Sequence, residues 1–367
     1  MRQVARAAGV SPMTVSYVYS QPERVSAEAT ERVRAAAREL AYPGPHPAAR
    51  SLRRGRAGTL GVVLGERLSY AFDDPQAARF LAGVADVCAT EGVGLTLVPI
   101  TGAASDADRV ARAVVDGFVV WTTSDDDPVL DAVADSGLPA AVHAGPHRRG
   151  LPVIGIDDRA AAAAVGRVAF AGARRPVVLG FPLDRARERL LLPGAAVGAV
   201  TSPVTFPVTR HRWEGLLDAW TGTGHPPEDL RLAACPVNDA AEGEAFAAEL
   251  LAGSDPPDAI AAMSDELALG ALRAVAAAGL AVPDAVAVTG WDDSDAAAPA
   301  GLTTLAQSLR ELGARCARLA LGDPAGAEEA EPPVWEVVVR ATSRPAGAQA
   351  PRQAASKKPS SSSIARR

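Results

Sequence analysis

Gln3-Val4-Ala5-Arg6-Ala7-Ala8-Gly9-Val10-Ser11-Pro12-Met13-Thr14-Val15-Ser16-Tyr17-Val18-Tyr19-Ser20 reads as two short helices joined by a tight turn. Ala5 is small where two helices must cross closely, and Gly9 can take the positive φ that the turn needs. Val4, Ala8, Val10, Val15 and Val18 supply an inner face at helical spacing. Ser11 is placed to cap the second helix, and Pro12 stands at its first position, where a missing N–H costs nothing. The second helix is then the one offered to a nucleic-acid groove. Pro12, Met13, Ser16 and Tyr17 are its outward positions, and the hydroxyls of Ser11, Thr14 and Ser16 suit phosphate oxygens. A plain helical hairpin has the same local spacing, so the rest of the chain must separate the two readings.

Ser26 caps a third helix, Ala27 to Leu40, in which Val33, Ala37 and Leu40 recur at helical spacing and Glu28 pairs with Arg32 four residues on. Pro43-Gly44-Pro45-His46-Pro47 cannot continue it. The segment from Ala48 to Arg56 is too short for a stable helix in water, yet sets Leu52 among four arginines. A leucine wedge flanked by arginines suits the minor groove; the alternative is a leucine that packs on the next domain.

Charge supports the nucleic-acid reading. The chain of 367 residues carries a net charge of -6, divided as +6 over residues 1–56, +5 over 345–367 and -17 between them. A basic head on an acidic body suits a protein whose head meets a polyanion. Cys88, Cys235 and Cys316 lie far apart, without C-x-x-C spacing, and read as small buried apolar residues. No signal peptide precedes the first helix and no long uncharged apolar run follows, which places the protein in the cytoplasm with no membrane partner.

From Thr59 onward, short buried strands alternate with Ala-rich helices. Leu60–Leu64, Leu95–Pro99, Phe118–Trp121, Ala140–Val142, Val153–Ile156, Val177–Gly180, Ile260–Met263 and Val286–Gly290 read as strands, with helices over Gln76–Glu91 and Ala107–Val115. The fold class is therefore an all-α helix-turn-helix head plus an α/β body of two doubly wound parallel-sheet lobes. Ligands of such folds sit at the carboxyl ends of the strands, and two lobes form a cleft. Asp157-Asp158, Ser264-Asp265 and Trp291-Asp292-Asp293 follow strands directly; for Asp265, a ligand contact and a helix cap both remain open. Pro324 to Pro333 is an acidic loop, and the chain beyond Arg344 reads as a disordered tail. The boundaries are 1–43 for the head, 44–56 for a hinge, 57–345 for the body and 346–367 for the tail.

A-G-V-S-x-x-T-V-S at 8–16, V-S at 25–26, E-L-x-Y at 39–42 and A-R-S-L at 49–52 together resemble the lactose/galactose repressor family of bacterial transcription regulators. The body carries the likeness further. A-M-S-D-E-L-A-L-G at 262–270, V-P-D-x-V-A-V-T-G-W-D-D at 282–293, L-T-T-L-A-Q at 302–307 and V-V-R-A-T-S-R-P at 338–345 are similar to the family's effector domain, of periplasmic sugar-binding type. The resemblance implies a homodimeric repressor on a pseudo-palindromic double-stranded operator, controlled by a small carbohydrate-like effector. It implies a hinge helix over residues 47–54 that forms on DNA, with Ala49 and Arg50 beside a Leu52 wedge from each subunit. It also implies that Arg212 and Asp292 bond the effector, with Asp158, Ser264 and Gln307 around it.

These residue types suit a polyol: carboxylates accept from vicinal hydroxyls, a guanidinium donates a planar fork, and rings cover apolar sugar faces. Tyr70, Phe72 and Trp291 are the aromatic candidates, with core packing as the alternative for each. Several departures from the family pattern stand out, among them Gly172-Ala173 where the family often has Gly-His. Ser20 and His46 each replace a common Asn, Asp157-Asp158 replaces Asp-Asn, and the first helix has no polar cap, so the native start is expected upstream. No cofactor is implied, and G-x-G-x-x-G, P-loop, H-E-x-x-H and G-x-S-x-G motifs are absent, which argues against an enzyme. A cytoplasmic solute sensor without operator specificity is the remaining alternative.

Overall fold

The computed structural model describes residues 1–44, 55–65, 69–101, 103, 105–197, 204–323 and 334–345, without the side chains of Tyr70 and Ala71. The chain divides into two compact units: Met1–Thr59 with Val114–Asp116, and Leu60–Ala113 with Gly117–Arg367.

The first unit contains α1 (Arg2–Ala7), α2 (Pro12–Ser20) and α3 (Ala27–Glu39). Gly9 adopts φ 61° between α1 and α2. Ser11 Oγ accepts from the Thr14 N–H at 3.0 Å and Ser26 Oγ from that of Ala29 at 3.3 Å, so both expected caps are made. Val4, Ala8, Val15, Val18, Val33 and Ala37 are buried together, with Val10 and Tyr42 packed partly against them. Two expectations fail here. Leu40 is 44% exposed, because Ala41 turns to φ 47° and Tyr42 bonds back to the Ala37 carbonyl, closing the helix before Leu40 can face the core. The ion pair of α3 joins Glu31 and Arg38 at 3.0 Å instead of Glu28 and Arg32.

Among the described residues, the second unit holds two five-stranded sheets and one two-stranded sheet. Strands β1 (Thr59–Leu64), β2 (Gly94–Pro99), β3 (Phe118–Trp121), β4 (Ala140–His143) and β5 (Val153–Ile154) stand in the order β2-β1-β3-β4-β5. Helices α4 (Pro75–Glu91), α5 (Ser105–Ala111) and α6 (Pro128–Asp135) belong to this first lobe. The chain then passes through α7 (Asp158–Ala169) into a second lobe. There β6 (Pro176–Gly180), β7 (Leu190–Pro193), α8 (Pro207–Thr221), β8 (Arg231–Ala234), α9 (Ala240–Ala252), β9 (Ala259–Ala262), α10 (Asp265–Ala277) and β10 (Ala287–Thr289) follow in turn. Their strand order is β10-β9-β6-β8-β7.

Ala-rich strands such as Ala259–Ala262 are buried on both faces, which is why they read as unbroken apolar runs. One face of the second sheet carries Trp213, Leu216 and Trp220; the other carries Phe246, Leu250 and Val275. The edge strand β7 runs antiparallel to β8, and neither strand was expected. The α5 helix ends at Ala111, before the expected Val115.

After β11 (Thr304–Gln307), helix α11 (Leu309–Ala320) returns to the first lobe, and β12 (Trp335–Val338) pairs antiparallel with β11. Leu309, Leu312 and Cys316 of α11 share a core with Phe80 and Val84 of α4. The two helices cross at paired glycines. A Cβ on Gly83 would lie 1.8 Å from the Arg310 carbonyl oxygen, and one on Gly313 would lie 2.1 Å from that of Phe80.

Gly313→Ala should therefore force the helices apart and cost about 1–3 kcal/mol or more, as overpacking does. A chemical denaturation midpoint equal to that of the unchanged protein would refute this close crossing.

Candidate functional site

The strands of both lobes end on a shared cleft, a cavity of about 820 Å³. Arg212 dominates its second-lobe wall. Pro207 opens α8 and places Arg212 on the buried face, 7% exposed. Its Nε donates to Asp158 Oδ1 at 2.8 Å and its Nη1 to the Met263 carbonyl at 2.6 Å. The guanidinium lies 4.0 Å above the centre of the Trp291 ring and 5.5 Å from that of Phe181. Three of the five N–H groups of a guanidinium remain for a ligand.

Asp292 takes φ 110°, a backbone state uncommon outside glycine, and strain of this kind is often stored at functional sites. Gln307 Nε2 donates to its Oδ1 at 3.0 Å. Burial raises the Asp292 pKa well above the ordinary carboxylate range, with Arg212 acting in the opposite direction. Asp158, Arg212, Asp292 and Gln307 thus line one cavity.

The other effector candidates are placed differently. Trp291 is 2% exposed and faces the guanidinium, so it supports Arg212 from behind instead of presenting a ring to the cavity. Phe72 is 70% exposed, neither core nor cavity wall, because the single helical turn Tyr70–Asp73 directs it outward. The Tyr70 side chain lies outside the described residues. Ser264 is 1% exposed and caps α10; its Oγ accepts from Leu267 N–H and donates to Asn238 Oδ1 at 2.5 Å. Asp265 is neither cap nor cavity wall: its carboxylate accepts from Thr304 Oγ1 and the Ser294 N–H, both at 2.6 Å.

Several wall residues escaped the sequence reading. Phe181 directly follows β6, and the rule that found Asp292 after β10 points to it equally. Asn238, in the loop after β8, passes the Ser264 contact on by donating to Asp74 Oδ2 at 2.9 Å. Asp74 Oδ1 in turn caps α4 through the Gln76 and Ala77 N–H groups. His143 ends β4, 6% exposed, with its ring centre 4.8 Å from that of Phe80 and 4.9 Å from that of Trp121. Its Nδ1 meets the Ile154 carbonyl at 3.1 Å. Burial lowers its pKa to about 4, and the Arg212 charge acts in the same direction. Seven carboxyl groups and three guanidinium groups line the cavity, a balance that favours a neutral ligand over an anion.

In the first unit, Ser11, Pro12 and Met13 are exposed, while Thr14, Tyr17 and Ser20 are half-buried. The Ser11 and Thr14 hydroxyls lie 2.9 Å apart, Ser20 Oγ donates to the Ser16 carbonyl, and Arg24 lies 5.9 Å from the Tyr17 ring centre. Ser16 corrects the expected outward face. It is 8% exposed, because α2 packs Val15 and Val18 into the core and Ser16, about 100° round the helix from Val15, lies at the flank of that buried face. Ala49, Arg50 and Leu52 lie outside the described residues, as do most of the hinge, the acidic loop and the tail. Among the described residues, no helix is long and apolar enough to cross a membrane.

Residues 1–44 match the model for bacterial regulatory proteins of the lacI family, and residues 195–343 match a periplasmic binding protein-like domain. An HTH-type transcriptional regulator of Mycobacterium tuberculosis is 39% identical over 86% of this chain and 88% of its own length. A LacI-family transcriptional regulator from Corynebacterium glutamicum is similar in structure, with TM-score 0.68 and 29% identity over 94% of this chain and 98% of that one. The regulator CelR, in complex with cellobiose, aligns with TM-score 0.60 and 25% identity over 93% and 98% of the two chains.

The buried imidazole has a thermodynamic signature. The folded pKa of about 4 lies below the ordinary value of 6.5, so the unfolded chain binds the proton first as pH falls. This contribution to stability is complete above pH 6.5 and is lost on descending to pH 4; the difference is about 3 kcal/mol. Asp265, Glu266 and Asp292, with raised pKa values, act in the opposite direction. Comparison with His143→Phe isolates the imidazole. The Tm of the unchanged protein relative to that of the variant should fall as pH drops from 6.5 to 4, and a difference independent of pH would refute a buried neutral ring.

Proposed function

Because the chain belongs to the LacI family of bacterial transcription regulators and is not an enzyme, we propose that it is a repressor whose operator affinity is set by a neutral, carbohydrate-like effector in the cleft. The observation that carries this reading is the Arg212 clamp. A guanidinium held by Asp158, the Met263 carbonyl and Trp291 keeps free N–H groups on a cavity large enough for a sugar. Asp292 and Gln307 supply the complementary polar groups, and Phe181 supplies a ring. That CelR is known in complex with cellobiose supports the same chemical class of effector.

On the DNA side, α2 is the recognition helix. Ser11, Pro12, Met13, Thr14, Tyr17 and Ser20 are its contact residues, and Ser16 acts through packing. Ala49, Arg50 and Leu52 form the hinge contact in the minor groove, where unstacking a base step costs a few kcal/mol and is offset by the contacts that a bent duplex permits. The protein works in the cytoplasm as a homodimer, with two heads on a pseudo-palindromic operator. The divisions 1–43, 44–56, 57–345 and 346–367 serve as head, hinge, body and tail. The effector acts by changing the spacing between the two bodies, since hinge helices pair only at one spacing.

Leu52→Ala should abolish the preference for operator over random DNA in a mobility-shift assay, with the thermal shift caused by an active sugar retained. Unchanged operator affinity would remove the wedge. Arg212→Lys keeps the charge and loses the fork, so it should bind operator normally and lose the response to sugar at least tenfold. A normal titration of that response would remove Arg212 from the effector site.

A further inference from the structure

The first-lobe wall carries a polar atom that the Arg212 cluster leaves unused. His143 Nδ1 lies 3.1 Å from the Ile154 carbonyl oxygen. A carbonyl only accepts, so in the neutral ring Nδ1 holds the proton and Nε2 is a bare acceptor. No side chain or backbone group among the described residues donates to Nε2. Phe80 and Trp121 hold the ring, tilted against theirs by 37° and 36°, and the residue lines the cavity. On the opposite lobe, Arg212 offers only donors.

We infer that His143 is a specificity-determining residue of the cleft, whose Nε2 accepts a hydrogen bond from one hydroxyl of a neutral polyol whose other oxygens are held by Arg212. The inference rests on the effector reading above. The two side chains then make opposite demands: the ligand presents an acceptor to Arg212 and a donor to His143. A hydroxyl satisfies the first-lobe demand. A methoxy group, a carboxylate or a missing oxygen does not, and leaves a desolvated lone pair without a partner. The burial that keeps the imidazole neutral also keeps Nε2 an acceptor at pH 7, because a protonated ring would donate from both nitrogens.

Two measurements test this. Long-range proton–nitrogen NMR of the full chain at pH 7 should show His143 as the Nδ1–H tautomer without any ligand; an Nε2–H tautomer overturns the proposal. D-glucose, D-galactose, D-ribose and D-mannitol are then screened by thermal shift, and the active one is titrated beside its monodeoxy analogues. The unchanged protein should bind one analogue at least tenfold more weakly than the parent. His143→Phe, which keeps a ring between Phe80 and Trp121, should lower parent affinity at least tenfold and erase the penalty at that one position. Addition of the active polyol should also move the Nε2 resonance. An unchanged pattern of deoxy penalties in His143→Phe, or an Nε2 resonance indifferent to the polyol, overturns the inference and leaves the effector reading intact. If none of the four binds the unchanged protein, the effector reading falls and takes the inference with it.

Discussion

A guanidinium removed from water is tolerated only where its charge and its donors are met, and the body of this protein is arranged around one such group. Arg212 is satisfied by a carboxylate at the start of α7, by a backbone carbonyl after β9 and by an aromatic face after β10. Each partner comes from a different element of the second lobe, so the ion pair fixes the geometry where those elements converge. Such a pair contributes little to net stability, yet removing either member is costly, because the other charge is left buried and alone. Its value is positional: it holds unspent donors at a defined place in the cavity wall.

The lobes meet across the cleft through polar contacts at its edge. Asn238 reaches Asp74, Arg79 pairs with Asp295 at 2.5 Å, and Arg210 pairs with Asp125 at 2.6 Å. The last two are partly or fully open to solvent and contribute of the order of 1 kcal/mol or less each. The first is different, because Asp74 is 4% exposed and already caps α4. A movement of Asn238 is therefore felt at the start of the helix that carries the first lobe's core.

The architecture was legible because each local signal had one physical solution. Gly9, Ser11 and Ser26 punctuate the head through φ and capping, and strands such as Leu60–Leu64 are buried on both faces, which produces uninterrupted apolar runs. The Arg212, Asp158, Asp292 and Gln307 cluster was reachable through resemblance and residue type. What stayed hidden depended on direction. Trp291 and Ser264 sit at the right chain positions but face away from the cavity, and Ser16 falls inside by part of a helical turn. Phe72 looked like a ring for a sugar or a core residue and is neither. His143 gave no signal at all, since a lone histidine in an apolar run becomes informative only when Ile154, Phe80 and Trp121 fix its ring. The antiparallel β7 is a short edge strand of half-exposed residues, in which Leu190–Leu192 form an apolar run of only three before Pro193.

The return of α11 has a consequence for biosynthesis. The five-stranded sheet of the second lobe comes from one run of chain between α7 and β10, but the apolar face of α4 is covered by a helix that leaves the ribosome more than two hundred residues later. At bacterial elongation rates of about 5–20 residues per second, the first lobe waits roughly ten to fifty seconds for its last layer. Through that interval the nascent first lobe exposes the apolar face of α4, a surface for a chaperone to cover.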